Sequence, residues 1–106
     1  MSGRELTREF FLGFIKLHIL HHAAQEPVCG VDLAEELGRH GYELSPGTLY
    51  PTLHALNRAG YLEQHDRTVH GRRRKYYVAT DAGAAALERG KAQARELMHE
   101  ILDDDG

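Results

Sequence analysis

With 106 residues and 42% hydrophobic content, the chain has room for one domain with a modest core. No apolar run reaches the roughly 18 to 20 residues that span a bilayer, and a lone cysteine, Cys29, excludes an internal disulfide. The net charge of −3 hides a basic middle: from Arg39 to Lys75 seven bases face three acids, net +4, whereas the remainder carries −7.

The start, Met1-Ser2-Gly3-Arg4-Glu5, carries an early acid and leads into no signal-peptide core, so the chain is expected to stay in a reducing cytoplasm. A first helix is predicted from about Thr7 to Ala24. Phe10, Phe14, Leu17 and His21 follow one 3.6-residue track, and Phe11, Ile15 and Ile19 an adjacent one. Apolar around most of its circumference, it calls for burial on several sides, against its own domain and a second copy. Pro27 ends it. A second helix runs from Gly30 to about His40, with Gly41 as its stop.

Ser45-Pro46 announces a third helix to about Ala59, serine as cap and proline at the first helical position. Leu49, Leu53 and Leu56 form its inward stripe, and Pro51 is expected in the first turn or so. Two β-like stretches follow, 61–65 and 75–79. A polar, basic connector from Asp66 to Arg74 joins them, giving a hairpin with an arginine-loaded tip. Alternation sends one of Tyr76 and Tyr77 inward. Thr80-Asp81 caps a last helix from about Ala82 to Leu102. Its Leu87, Ala94 and Ile101 recur every seven residues, the mark of a helix that packs on another helix. An acidic, solvated tail, Asp103 to Gly106, closes the chain.

The fold class read from this order is mainly α with a small β-hairpin wing. It is a winged helix-turn-helix over 1–80, whose first helix also serves a dimer interface, followed by a C-terminal dimerisation helix and tail over 81–106. A basic surface flanked by acidic ends suits DNA, because salt screens distant charge within about 8 Å.

The run Gly41-Tyr42-Glu43-Leu44-Ser45-Pro46-Gly47-Thr48-Leu49-Tyr50-Pro51 resembles the opening of the recognition helix in the PadR family of bacterial regulators. Leu53, Leu56, Gly60, Leu62, the Gly71-Arg72-Arg73-Arg74-Lys75-Tyr76-Tyr77 wing and Thr80-Asp81-Ala82-Gly83 continue the resemblance. The single short C-terminal helix is similar to that of the family's compact subgroup. The resemblance implies a homodimeric repressor, released by an effector, on a near-palindromic operator of double-stranded DNA. The DNA-facing residues would then be Tyr42, Ser45, Gly47, Thr48, Tyr50, Pro51, His54 and Arg58, with Arg72, Arg73, Arg74 and Lys75 on the backbone.

Two effector readings stand side by side. His18, His21 and His22 lie within one helical turn and, with His99, could take zinc or another divalent transition metal; Cys29, Glu26, Glu100 or Asp103 would complete the set. Against that stands a plain histidine cluster satisfied by carboxylates across the interface. The resemblance implies a small aromatic or drug-like effector instead, in a cavity lined by Phe10, Phe11, Phe14, Leu97, Met98 and Ile101; no tryptophan is present to stack it. No cofactor is required. Catalysis is not expected, because no nucleophile elbow, phosphate loop or carboxylate pair accompanies Ser45, Thr48 or Cys29. The alternative function is a winged-helix protein-interaction module that never reads DNA.

Overall fold

A computed structural model describes residues 3–103. The expected tail at 104–106 and the first two residues lie outside them. The elements are α1 (Gly3–Gln25), β1 (Val28–Cys29), α2 (Gly30–Arg39), α3 (Pro46–Arg58), β2 (Leu62–Val69), β3 (Arg72–Ala79) and α4 (Asp81–Asp103). The mainly helical winged helix-turn-helix is therefore the observed fold. β1 is an addition: two residues after Pro27 pair antiparallel with β3, Val28 opposite Tyr77 and Cys29 opposite Tyr76, in a sheet ordered β1-β3-β2. α1 begins four residues before the predicted Thr7.

The core follows the predicted apolar stripes. Ile15 and Ile19 of α1, Leu33 and Leu37 of α2, Leu49 and Leu53 of α3, Leu62 of β2 and Tyr77 of β3 are all buried. Of the tyrosine pair, Tyr77 turns inward and Tyr76 lies under the Arg67 guanidinium, 5.0 Å from the ring centroid.

Three local predictions need correction. The wing has no long tip: β2 and β3 pair without interruption from Leu62↔Ala79 to Val69↔Arg72. Only His70 and Gly71 turn the chain, both at positive φ (52° and 76°), as a two-residue primed turn demands. Arg72 to Lys75 are thus strand residues with alternating directions. Ser45 precedes α3 in extended backbone but makes no side-chain cap bond; its hydroxyl lies 3.4 Å from Thr48 Oγ1. Pro51 sits in the second turn of α3, where it cannot donate to the Gly47 carbonyl. In the same stretch Thr52 Oγ1 donates to the Thr48 carbonyl at 2.7 Å.

α4 is fastened at its root. Thr80 Oγ1 accepts from the Gly83 amide at 3.0 Å and donates to the Gly60 carbonyl at 2.6 Å, while the Thr80 amide donates to the Tyr61 carbonyl. Gly83 and Leu87 are buried, and Leu17 of α1 packs against Gly90. Past that point α4 runs out beside α1 with Leu97, Met98, Ile101 and Leu102 exposed, which stretches the molecule to 58 Å. α1 leaves Leu6, Phe10 and Phe14 exposed in the same way.

Candidate nucleic-acid interface

α3 presents two faces. Leu49, Leu53 and Leu56 anchor it to the core; Gly47, Pro51, His54 and Arg58, spaced by four, three and four, share an exposed face with Tyr50 near its leading end. Thr48 is half-buried and Ser45 exposed. The predicted leading edge is therefore one continuous surface. Tyr42 stands apart, in the connector before α3. Its ring lies 5.4 Å from that of Phe11 and 5.6 Å from that of His18, so it also ties the connector to α1.

In the wing, alternation places Arg73 and Lys75 on the face of Tyr77, and Arg72 and Arg74 on the face of Tyr76. Arg73 is held by Asp66 at 2.9 Å. Arg67, which sequence reasoning left out of the site, sits directly opposite Arg74 and adds a cation to the outer face. Its signal was the basic middle of the chain, but its partner could be named only from the register. The start of α2 was missed as well: Gly30 and Val31 face Tyr50 and β3 across an open groove.

The histidines form a different group from the one expected. His18 rests against His22, His40 and Tyr42, with ring centroids 6.2, 5.3 and 5.6 Å away. His22 and His40 both approach Glu36 Oε1, at 3.9 and 3.4 Å, and Arg39 bonds the other oxygen of the same carboxylate. His21 turns to Gln25 at 3.1 Å, and His99 bonds Asp103 at 2.6 Å, both within their own helices. The predicted ligand set is not assembled. Among the described residues, no group of three or more His, Cys, Asp or Glu is placed to hold a metal ion. Of the three histidines expected to meet carboxylates across an interface, His22 approaches one, but that carboxylate, Glu36, belongs to the same chain.

Burial holds the His18 imidazole below its usual pKa, helped by His40, His22 and His21 and opposed by Glu36. His22 is lowered for the same first reason, with His21 next. A depressed histidine pKa means that the folded state binds fewer protons than the unfolded one. Stability is then complete above the unfolded value near 6.5 and declines as pH falls below it. The melting temperature is expected to be flat from about pH 7 upward and to drop toward pH 5, with His18→Gln flattening the drop. Thermal melts across that range check this; a melting temperature that rises toward pH 5 would contradict it.

The predicted effector residues divide. Phe10, Phe14, Leu97, Met98 and Ile101 are exposed on α1 and α4, whereas Phe11 is half-buried against Tyr42. Among the described residues, no helix is long and apolar enough to cross a membrane.

Comparison with known proteins places this geometry in company. Residues 19–89 match the transcriptional regulator PadR-like family. The chain is 53% identical over 95 residues to the transcriptional regulator Rv3488 of Mycobacterium tuberculosis, covering 90% of this chain and 89% of that protein. Among solved structures, it is similar to a PadR family transcriptional regulator from Eggerthella lenta (28% identity, 97% and 93% of the two chains, TM-score 0.81). It is also similar to a PadR-like transcriptional regulator from Bacillus cereus (28% identity, 93% and 94%, TM-score 0.78).

Proposed function

The chain belongs to the PadR-like family of transcriptional regulators, non-enzymatic proteins that regulate through DNA, and we propose that it acts as a homodimeric repressor on a near-palindromic operator. The observation that carries this reading is the exposed leading edge of α3 beside a wing with four consecutive cations. In each copy α3 enters a major groove. Thr48 and Tyr50 reach toward bases or phosphates, Pro51 offers an apolar face to a thymine methyl, and the wing cations take phosphates. A protein-interaction module would have no use for that combination of residues.

The second copy is called for by the apolar faces of α1 and α4. Leu6, Phe10, Phe14, Leu97, Met98, Ile101 and Leu102 are too many large exposed side chains for one small domain, and burying them against a second copy is the simplest solution. On this reading 1–80 form the DNA-binding unit, with α1 shared, and 81–106 the dimerisation helix and tail. The two heads then meet half-sites about one helical turn apart, and the dimer blocks a promoter in the cytoplasm, where the DNA is. An apolar, aromatic effector seated between the α1 and α4 faces would release it by binding one spacing of the heads better than the other.

Selection of bound DNA from a random pool tests the reading. A dyad-symmetric consensus is expected, and no enrichment over the starting pool would overturn it. On the selected duplex, Thr48→Ala should lose about 1 kcal/mol of discrimination at one position per half-site and leave the salt dependence unchanged. An equal loss on every sequence with unchanged base preference would move Thr48 from a base to a phosphate.

A further inference from the structure

A groove of about 440 Å³ opens between the start of α2, Tyr50 of α3 and the wing strand β3. Its three walls each present something an anion would use. α2 begins at Gly30 with Cys29 as its N-cap, whose side chain makes no cap bond to the first amides, which carry the partial positive charge of the helix. A thiol is a weak acceptor and does not substitute for one. Asp32, the acid in that first turn, does not line the groove.

The β3 wall is cationic. Arg73 and Lys75 share the face of Tyr77, and the nearby carboxylate, Asp66, is engaged by Arg73. Tyr77 supplies the most specific observation. It is 1% exposed and lines the groove, yet among the described residues its hydroxyl has no hydrogen-bond partner, although buried hydroxyls almost always find one. Tyr50 is held over the same place by an absence of side chain: a Cβ on Gly30 would lie 2.7 Å from Tyr50 Cε1 and 2.9 Å from its hydroxyl oxygen.

We infer that this groove seats one backbone phosphodiester of the bound duplex, taken by the first amides of α2, the hydroxyls of Tyr50 and Tyr77, and Lys75. The inference rests on the DNA-binding reading above and extends it to the helix before the recognition helix. Gly30 is then a positioning residue, since any side chain there would push Tyr50 off the α2 terminus.

Duplexes of the selected sequence, each with a single neutral methylphosphonate linkage, test this by affinity measurement. Wild type should lose roughly tenfold at the seated linkage of each half-site, where a charge-assisted bond disappears. Tyr77→Phe should bind unmodified DNA roughly fivefold more weakly and lose little more at that linkage. Because the hydroxyl bonds nothing in the free chain, Tyr77→Phe should melt no lower than wild type. Lys75→Gln, an exposed change that leaves the core intact, should show the same non-additivity. Should both variants match wild type on unmodified DNA, or lose additively at every linkage, the seat is overturned while operator binding stands. A wild type that binds no duplex would overturn the DNA-binding reading and the seat together.

Discussion

Gly83→Ala is expected to cost about 3 kcal/mol or more, enough to remove most of the stability of so small a domain. A Cβ at this position would run into the backbone carbonyl of Tyr61. Backbone cannot rotate away as a side chain can, and that same carbonyl already accepts the Thr80 amide at 3.1 Å. The methyl group must therefore lift α4 off the root of the wing and pull at the Thr80 bonds to Gly60 and Gly83. Helix propensity argues in the other direction by about 1 kcal/mol, so the sign of the result separates packing from propensity. Gly13→Ala is the control: no atom would meet a Cβ there within 4 Å, and it should stabilise by up to about 1 kcal/mol. Thermal or denaturant melts decide; Gly83→Ala melting at or above wild type would refute the packing argument.

The second large effect concerns the wing. Replacing Arg72, Arg73, Arg74 and Lys75 together by alanine should weaken binding to selected and unrelated duplexes alike, by on the order of a hundredfold or more at low salt. The slope of log affinity against log salt for the dimer should become shallower by up to about 7.2, at roughly 0.9 for each phosphate that the two wings no longer neutralise. Arg73 is expected to contribute least among the four, because its Asp66 partner must be given up before it can bind a phosphate. Melting temperature should hardly change, since all four side chains are exposed. If the slope is the same with and without these side chains, the wing is not on the DNA. If the loss is confined to the selected sequence, the wing reads bases and its role as a backbone clamp is wrong.

Much of this was written in the sequence. Periodicity and punctuation located all four helices, because apolar stripes and the glycines after them have direct physical causes: Gly41 and Gly60 both adopt positive φ just past a helix end. The α3 edge also followed from the sequence, as residues at fixed spacing on one helix keep their relative directions. What escaped depended on pairing between distant segments. β1 is two residues long and exists because β3 offers it an edge. The outer half of the wing lacks the apolar alternation that marks a strand, so Asp66 to Val69 and Arg72 to Arg74 resembled a loop, and His70-Gly71 is a weak turn signal. His99 was joined to His18 on chemistry alone, whereas His18 in fact sits with His22, His40 and Tyr42 at the α1–α2 junction. The groove needed Gly30, Tyr50 and Tyr77 at one place, a juxtaposition that no local pattern encodes.

Two copies, each with α3 in a major groove, are the centre of the account, and protection of guanine N7 positions on the selected duplex tests this most directly. N7 lies on the major-groove edge. Protection is predicted in two dyad-related patches on one face of the duplex, about one helical turn apart between centres, and it should vanish with Thr48, Tyr50 and Pro51 replaced together. A single patch, or binding that leaves every major-groove N7 reactive, would contradict the account.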